Sequence, residues 1–185
     1  MLNSTWYYNI YKEMLSHEDC DNIIEEAYES SEAQEFVQGT EGANYNYKHL
    51  TDNDLYSTID KIVARANNEC LWRFNYEFIE PLKFVEYATG HCHDWHIDSH
   101  NNLTGIGEQR KHTIIVQLSD ENEKTGGHIN ILGGLPRNEN EWNSEIFLSK
   151  GDVLIFPAFI PYKVNVIEGG LQRMLTGHTA GPAWC

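Results

Sequence analysis

From residue 73 onward the chain is written in short runs rich in β-branched and aromatic residues, and this pattern leaves few folds open. The runs are "FNYEFI", "LKFVEYA", "WHIDS", "KHTIIVQLS", "HINIL", "EIFLS", "DVLIFP", "YKVNVI" and "QRMLTGH", set apart by Gly, Pro and Asn. Their spacing is mostly near ten residues and no long helical pattern falls between them. A double-sheet, jelly-roll-like barrel is the natural architecture for such runs. "KTGGH" reads as a hairpin and "SKGDV" as a turn.

The region before residue 73 reads differently. In "SHEDCDNIIEEAYES", Ser16 can cap a helix with acidic residues in its first turn and Cys20, Ile23, Ile24 and Ala27 on one face. "DNDLYSTIDKIVARANNEC" repeats Leu55, Ile59, Ile62, Val63 and Ala66 at helical spacing. Both helices are expected to pack on the sheet. The intervening "GTEGANYNYKHLTDND" is Gly- and Asn-rich and reads as polar loop. With no repeat, linker or low-complexity block, the 185 residues are expected to form one domain. Helical support would span about 1–72 and a β core about 73–185, a mainly β chain with flanking helices (α+β).

Charge and cysteine usage narrow the setting. The chain carries 28 acidic against 13 basic residues, a formal net charge of -15, and no basic patch, which argues against nucleic acid as a partner. Cys20, Cys70, Cys92 and Cys185 are scattered without a C-x-x-C pair, as suits free thiols in a reducing compartment. The opening "MLNSTWYYNIYKEML" lacks a leader pattern, and no run reaches the roughly 18 apolar residues of a membrane span. A cytoplasmic protein with a small-molecule or peptide partner, and no membrane partner, is the expectation.

The densest chemistry lies in "HCHDWHIDSH", residues 91–100. On a strand, residues two apart share a face, so His96 and Asp98 would project together while Ile97 faces away. An imidazole beside a carboxylate supplies two of the three ligands of a non-haem iron(II) site with open positions. Three-residue matches arise often by chance, so H-x-D alone is a weak signal. His91 and His93 read as exposed loop residues, His100 as the start of the polar loop "HNNLTGIGEQ", and His112 and His128 as residues on the wet faces of strands. Trp95 reads as packing or pocket wall. A zinc chelator using the whole histidine cluster is the less favoured reading.

Taken together, "PLKFVEYATGHCHDWHIDSH", "RKHTIIVQLSD", "TGGHINI", "GDVLIFPAFIPYKV" and "GGLQRMLTG" resemble, in that order, the prolyl 4-hydroxylase-like branch of the 2-oxoglutarate and iron(II)-dependent dioxygenases. "WYYNIYKEMLSHEDCDNIIEEA" also resembles the opening of such domains, so the resemblance spans nearly the whole chain. It implies a double-stranded β-helix in which His96 and Asp98 bind iron(II), 2-oxoglutarate chelates the metal, and Arg173 pairs with its distal carboxylate. Tyr87 would be a further donor to the cosubstrate, with Thr113 a weaker candidate, and Arg110 would lie near a peptide substrate. The implied activity couples decarboxylation of 2-oxoglutarate to C–H hydroxylation of a peptidyl or amino-acid substrate, with oxygen as cosubstrate and ascorbate as a reductant. The loops at 39–54 and 99–109 would choose the substrate, and the gene could be cellular or viral.

The chain departs from the family where the distal iron ligand is a histidine, for the matching residue in "FPAFIPYKV" is Tyr162. A phenol with an ordinary pKa of about 10 must lose a proton before it ligates, and its anion favours iron(III). Three readings stay open: Tyr162 ligates directly, it leaves a two-residue site completed by water, or the domain is a catalytically impaired binding module. His178 on the last strand is a further candidate to replace the imidazole. Arg173 lies eleven residues after Tyr162 where ten is usual, so either "EGGLQ" holds a bulge or Gln172 keeps the register.

Overall fold

The computed structural model describes residues 6–31, 34–38, 44–50, 53–99, 108–133 and 143–184. Thirteen strands and two helices are assigned among them: β1 Asn9–Tyr11, α1 His17–Glu29, β2 Glu35–Gln38, β3 Asn44–His49, α2 Asn53–Glu69, β4 Phe78–Ile79, β5 Lys83–Ala88, β6 His93–His96, β7 Glu108–Gln117, β8 Lys124–Gly126, β9 Ile129–Leu132, β10 Asn143–Ile146, β11 Val153–Pro157, β12 Tyr162–Val164 and β13 Ile167–Pro182. His100, Cys185, and parts of the 39–54 and 99–109 loops lie outside the described residues.

A large antiparallel sheet runs in the order β1-β11-β7-β13-β5-β3-β2, with β4 and β8 also paired to β13. A four-stranded antiparallel sheet, β10-β9-β12-β6, covers one of its faces. The chain is thus mostly β with flanking helices, in the expected jelly-roll arrangement. Strand alternation divides the apolar residues between two cores. Phe84 on β5, Ile114 on β7, Ile155 on β11 and Leu175 on β13 pack towards the helices with Cys20, Ile59, Val63 and Ala66. Their neighbours Val85, Ile115, Leu154 and Met174 pack between the sheets with Ile129, Ile131 and Ile160. Burying each such large side chain contributes about 1.5–3 kcal/mol.

Helix α1 starts where expected, with Ser16 as cap: Asp19 N–H donates to Ser16 Oγ at 3.0 Å and Ser16 N–H donates to Asp19 Oδ2 at 3.2 Å. The "SKGDV" turn is also present, with Gly151 at φ +85° and its carbonyl accepting from the Met14 and Leu15 N–H groups.

Four local expectations are corrected. The polar stretch read as loop contains β3, which pairs with β2 and β5, so the region before residue 73 gives strands as well as helices. Of "FNYEFI" only Phe78–Ile79 is strand. "KTGGH" does not close a hairpin: β8 pairs with β13, whereas β9 pairs with β10 and β12, and Gly126 and Gly127 turn the chain from one sheet to the other at φ +76° and +70°. His112 is not on a wet face. It is fully buried, its Nε2 donating to Asn67 Oδ1 at 3.2 Å and its Nδ1 2.7 Å from Thr179 Oγ1, and burial followed by the nearby Lys111 charge pushes its pKa down to about 3.

Candidate metal centre and ligand cavity

A cavity of about 590 Å³ opens between the two sheets, lined by residues of β3, β5, β6, β7, β12 and β13. His96, Asp98, Tyr162, Tyr87 and Arg110 all line it, together with His178 and Lys83. His96 ends β6, and Asp98 follows in a bend rather than on the strand itself. The N–H groups of Asp98 and Ser99 both donate to the Ala158 carbonyl, and this clamp turns the Asp98 carboxylate inward.

The His96 ring is set for a cation. Its Nδ1 lies 2.7 Å from the Asp94 carbonyl oxygen, which can only accept, so Nδ1 carries the proton and Nε2 offers a lone pair. Nε2 is buried without a hydrogen-bond partner and lies 3.9 Å from Asp98 Oδ1. A histidine whose second nitrogen donates to a backbone carbonyl is the usual support of a metal ligand.

Asp98 is held as the anion. Burial alone would raise its carboxyl, but His178, His96 and Thr113 outweigh that and keep it well below the usual carboxylate range. Thr113 Oγ1 donates to Asp98 Oδ2 at 2.7 Å, and His178 Nε2 approaches the same oxygen at 3.2 Å. Oδ1 is left towards His96. Thr113 therefore stands behind the carboxylate, and His178 bridges Asp98 to Glu80, whose Oε2 is 3.8 Å from His178 Nδ1.

Tyr162 pairs with His96 in register across β12 and β6, their ring centroids 4.2 Å apart. Its phenol is a neutral hydrogen-bond partner of Asp98: burial, then the Asp98 charge, push its pKa well above the ordinary value. Tyr87 is similarly shifted upward by burial, with Tyr45 and Asp98 adding to it. Tyr45, Tyr87 and Tyr162 thus set three phenols around one carboxylate. Among the described residues, no three His, Cys, Asp or Glu side chains are arranged to hold a metal ion.

His93 was expected in an exposed loop, but it stacks on His96 with centroids 3.5 Å apart and forms part of the cavity wall. Burial, then His96, push its pKa down to about 4. Trp95 and Ile97 stand on the rim, each about two-fifths exposed.

The structure does not bring Arg173 into the cavity. On β13 it pairs with Glu86 of β5, and both side chains meet Tyr28 of α1; Arg173 Nε donates to Tyr28 Oη at 2.9 Å, and its Nη1 donates to Glu123 Oε2, just before β8, at 2.5 Å. Its neighbour Gln172 pairs with Tyr87 and faces inward. There Gln172 Nε2 donates to Gln117 Oε1 at 3.0 Å, and Gln117 Nε2 donates to the Ser119 carbonyl at 3.1 Å. Gln172 keeps the register ten residues after Tyr162, but it and Gln117 line a second cavity of about 590 Å³, shared with Glu121, Lys124 and Glu168, rather than the one that holds His96 and Asp98. Gly127 makes room for Gln172, since a Cβ there would stand 2.0 Å from its Oε1.

Arg110 does line the cavity, but Glu80 engages it twice, at 2.7 Å and 2.6 Å. Lys83, which sequence reasoning overlooked, shares a β5 face with Val85 and Tyr87. That period-two relation to Tyr87 was the available signal. The donor set fits a divalent cation at His96 and Asp98. For a diacid such as 2-oxoglutarate, Lys83 brings an ammonium to the cavity wall.

Compared by sequence, the chain matches no protein-family model and no curated protein. Compared by structure, it is similar to the viral collagen prolyl hydroxylase of Paramecium bursaria Chlorella virus-1 in its 2-oxoglutarate complex, with TM-score 0.73 and 16% identity over 95% of this chain and 96% of that one. A prolyl-4-hydroxylase of Pseudomonas putida follows at TM-score 0.70 and 16% identity, over 93% and 91% of the two chains. A prolyl hydroxylase of Trichoplax adhaerens, in complex with a hypoxia inducible factor peptide fragment, gives TM-score 0.65 and 16% identity over 95% and 84%. Sequence motif, sheet order and these likenesses agree: the chain has the double-stranded β-helix fold of the prolyl hydroxylase-like 2-oxoglutarate and iron(II) oxygenases.

Proposed function

We propose that this chain is a 2-oxoglutarate- and iron(II)-dependent oxygenase of the prolyl hydroxylase-like kind, acting on a peptidyl or amino-acid substrate. The observation that carries the reading is the bare, buried Nε2 of His96 facing the Asp98 carboxylate in an open cavity. Iron(II) with 2-oxoglutarate and oxygen supplies, when bound, the oxidising power for C–H hydroxylation as the oxo acid becomes succinate and carbon dioxide. The protein's own part is binding and placement. His96 and Asp98 hold the metal, Thr113 and the Ala158 carbonyl fix Asp98, and Asp94 fixes the His96 tautomer. Tyr87, Tyr45 and Thr176 give the cavity its neutral polar lining. Trp95 and Ile97 at the rim offer apolar surface to a substrate chain, and the peptide-bound neighbour of the same fold supports a peptidyl substrate.

Tyr162 favours a second reading, a module that binds metal and ligand without turnover. Its neutral phenol, held by Asp98, stands where an imidazole would give a third ligand. Anaerobic addition of iron(II) and 2-oxoglutarate, watched for the metal-to-cosubstrate charge-transfer band and followed by admission of oxygen, separates the two. The oxygenase reading requires the band and then succinate. The band without succinate supports the binding module, and neither signal removes the oxygenase reading.

A further inference from the structure

Among the described residues, the cavity holds a cation that no ion pair accounts for. In a chain with 28 acidic and 13 basic residues, an ammonium without a carboxylate partner beside a ligand-sized cavity is not a default outcome. Two basic residues line this cavity, and they differ in kind. Arg110 already has a carboxylate partner, Glu80, in a two-pronged bond. Lys83 has no carboxylate within ion-pair distance among the described residues. Its ammonium instead lies 4.8 Å from the centre of the Tyr47 ring, a contact that orients the side chain while leaving its donors available. Thr176, its partner across β13, brings a hydroxyl to the same wall.

We propose that Lys83 is the carboxylate anchor of this cavity, supplying a charge that Arg173 on the outer face of β13 does not bring to it, so that a ligand binds with its acid group towards β5. Burial, then the nearby Arg110 charge, work against the ammonium and outweigh the more distant fields of Glu80, Asp98 and Glu35. An incoming carboxylate relieves that penalty and gains a charge-assisted hydrogen bond. The ligand class is a small organic carboxylate. It could be the distal acid of a 2-oxo diacid or the carboxylate of an amino-acid substrate, so the inference rests in part on the oxygenase reading but does not require turnover.

The test uses calorimetric titration of the full chain with manganese(II) as a redox-silent metal. One arm adds 2-oxoglutarate, with 2-oxobutyrate as the partner lacking the distal acid; the other adds L-proline, with L-prolinamide as the neutral partner. Lys83→Met should weaken at least one acid by about tenfold or more, the size of one lost charge-assisted hydrogen bond. Lys83→Arg should restore most of that binding, Arg173→Met should leave it unchanged, and the partners lacking the acid should not respond to Lys83→Met. Thermal unfolding of each variant guards against a folding defect. Dependence in the L-proline arm alone keeps the anchor and assigns it to substrate. Lys83-dependent binding of 2-oxoglutarate, with no succinate released in a separate incubation with iron(II) and oxygen, keeps the anchor and removes the oxygenase reading. Failure of both acids to bind the unmodified chain, equal binding by Lys83→Met, or an equal loss in Arg173→Met overturns the proposal.

Discussion

Gln172 and Arg173 are consecutive residues of β13 whose side chains lie on opposite faces of the large sheet, the amide against Gln117 inside and the guanidinium against Tyr28 outside. The outer contact ties β13 to α1, and the inner one joins β13 to β7 between the sheets. Each face makes its own prediction.

The inner amides depend on each other. Gln117→Leu leaves Gln172 without its amide partner, and Gln172 Oε1 is already buried with none. A loss of about 1–3 kcal/mol in urea unfolding is expected, and Gly127→Ala should match or exceed it because the new Cβ meets Gln172 Oε1 at a positive φ. Unchanged midpoints in both variants would show that the amide pair is not packed as described.

Thr113→Val removes the hydroxyl behind Asp98 while keeping its shape. Affinity for cobalt(II), followed by its absorption spectrum, should drop by about tenfold or more while the fold stays intact. An affinity equal to that of the unmodified chain contradicts the assignment of Asp98 as a ligand.

Tyr162→His replaces a neutral phenol by an imidazole next to His96. Metal affinity should rise by about tenfold or more. Succinate release should rise with it if the missing imidazole is what limits turnover. A fall in both instead identifies the phenol as part of a working site.

His112 sets a pH dependence away from the cavity mouth. Folding lowers its pKa to about 3, so between that value and the unfolded value of about 6.5 the unfolded chain binds more protons. Stability from this group is complete above pH 6.5 and declines as the pH falls towards 3. Between pH 7 and pH 5 the expected decline is about 2 kcal/mol, measured by urea unfolding, and His112→Gln should flatten it even where it lowers stability overall.

What the sequence showed, and what it hid, follows from the range of the interactions. The α1 cap was legible because Ser16 and Asp19 are three residues apart and act locally. The pairing of His96 with Asp98 was legible for the same reason, although Asp98 leaves the strand. β3 was hidden behind its asparagines, which have low strand propensity, even though Tyr45, Tyr47 and His49 keep a period of two. Its pairing with β5 is a long-range choice made by the sheet. The burial of His112 is equally non-local, since Asn67 and Thr179 reach it from distant parts of the chain. Gln172 and Arg173 could not be ordered from spacing alone, because one residue decides which face each takes. Tyr87 opposite Gln172 and Glu86 opposite Arg173 make that decision.

The same alternation makes β13 a switch on an evolutionary scale. Gly169 and Gly170 precede the pairing of β13 with β5, and inserting or deleting one residue there would exchange the two faces beyond it. Arg173 would then meet the interior and Gln172 the helix. A lineage carrying this strand could move a cation between the two faces of the large sheet by changing chain length rather than residue type.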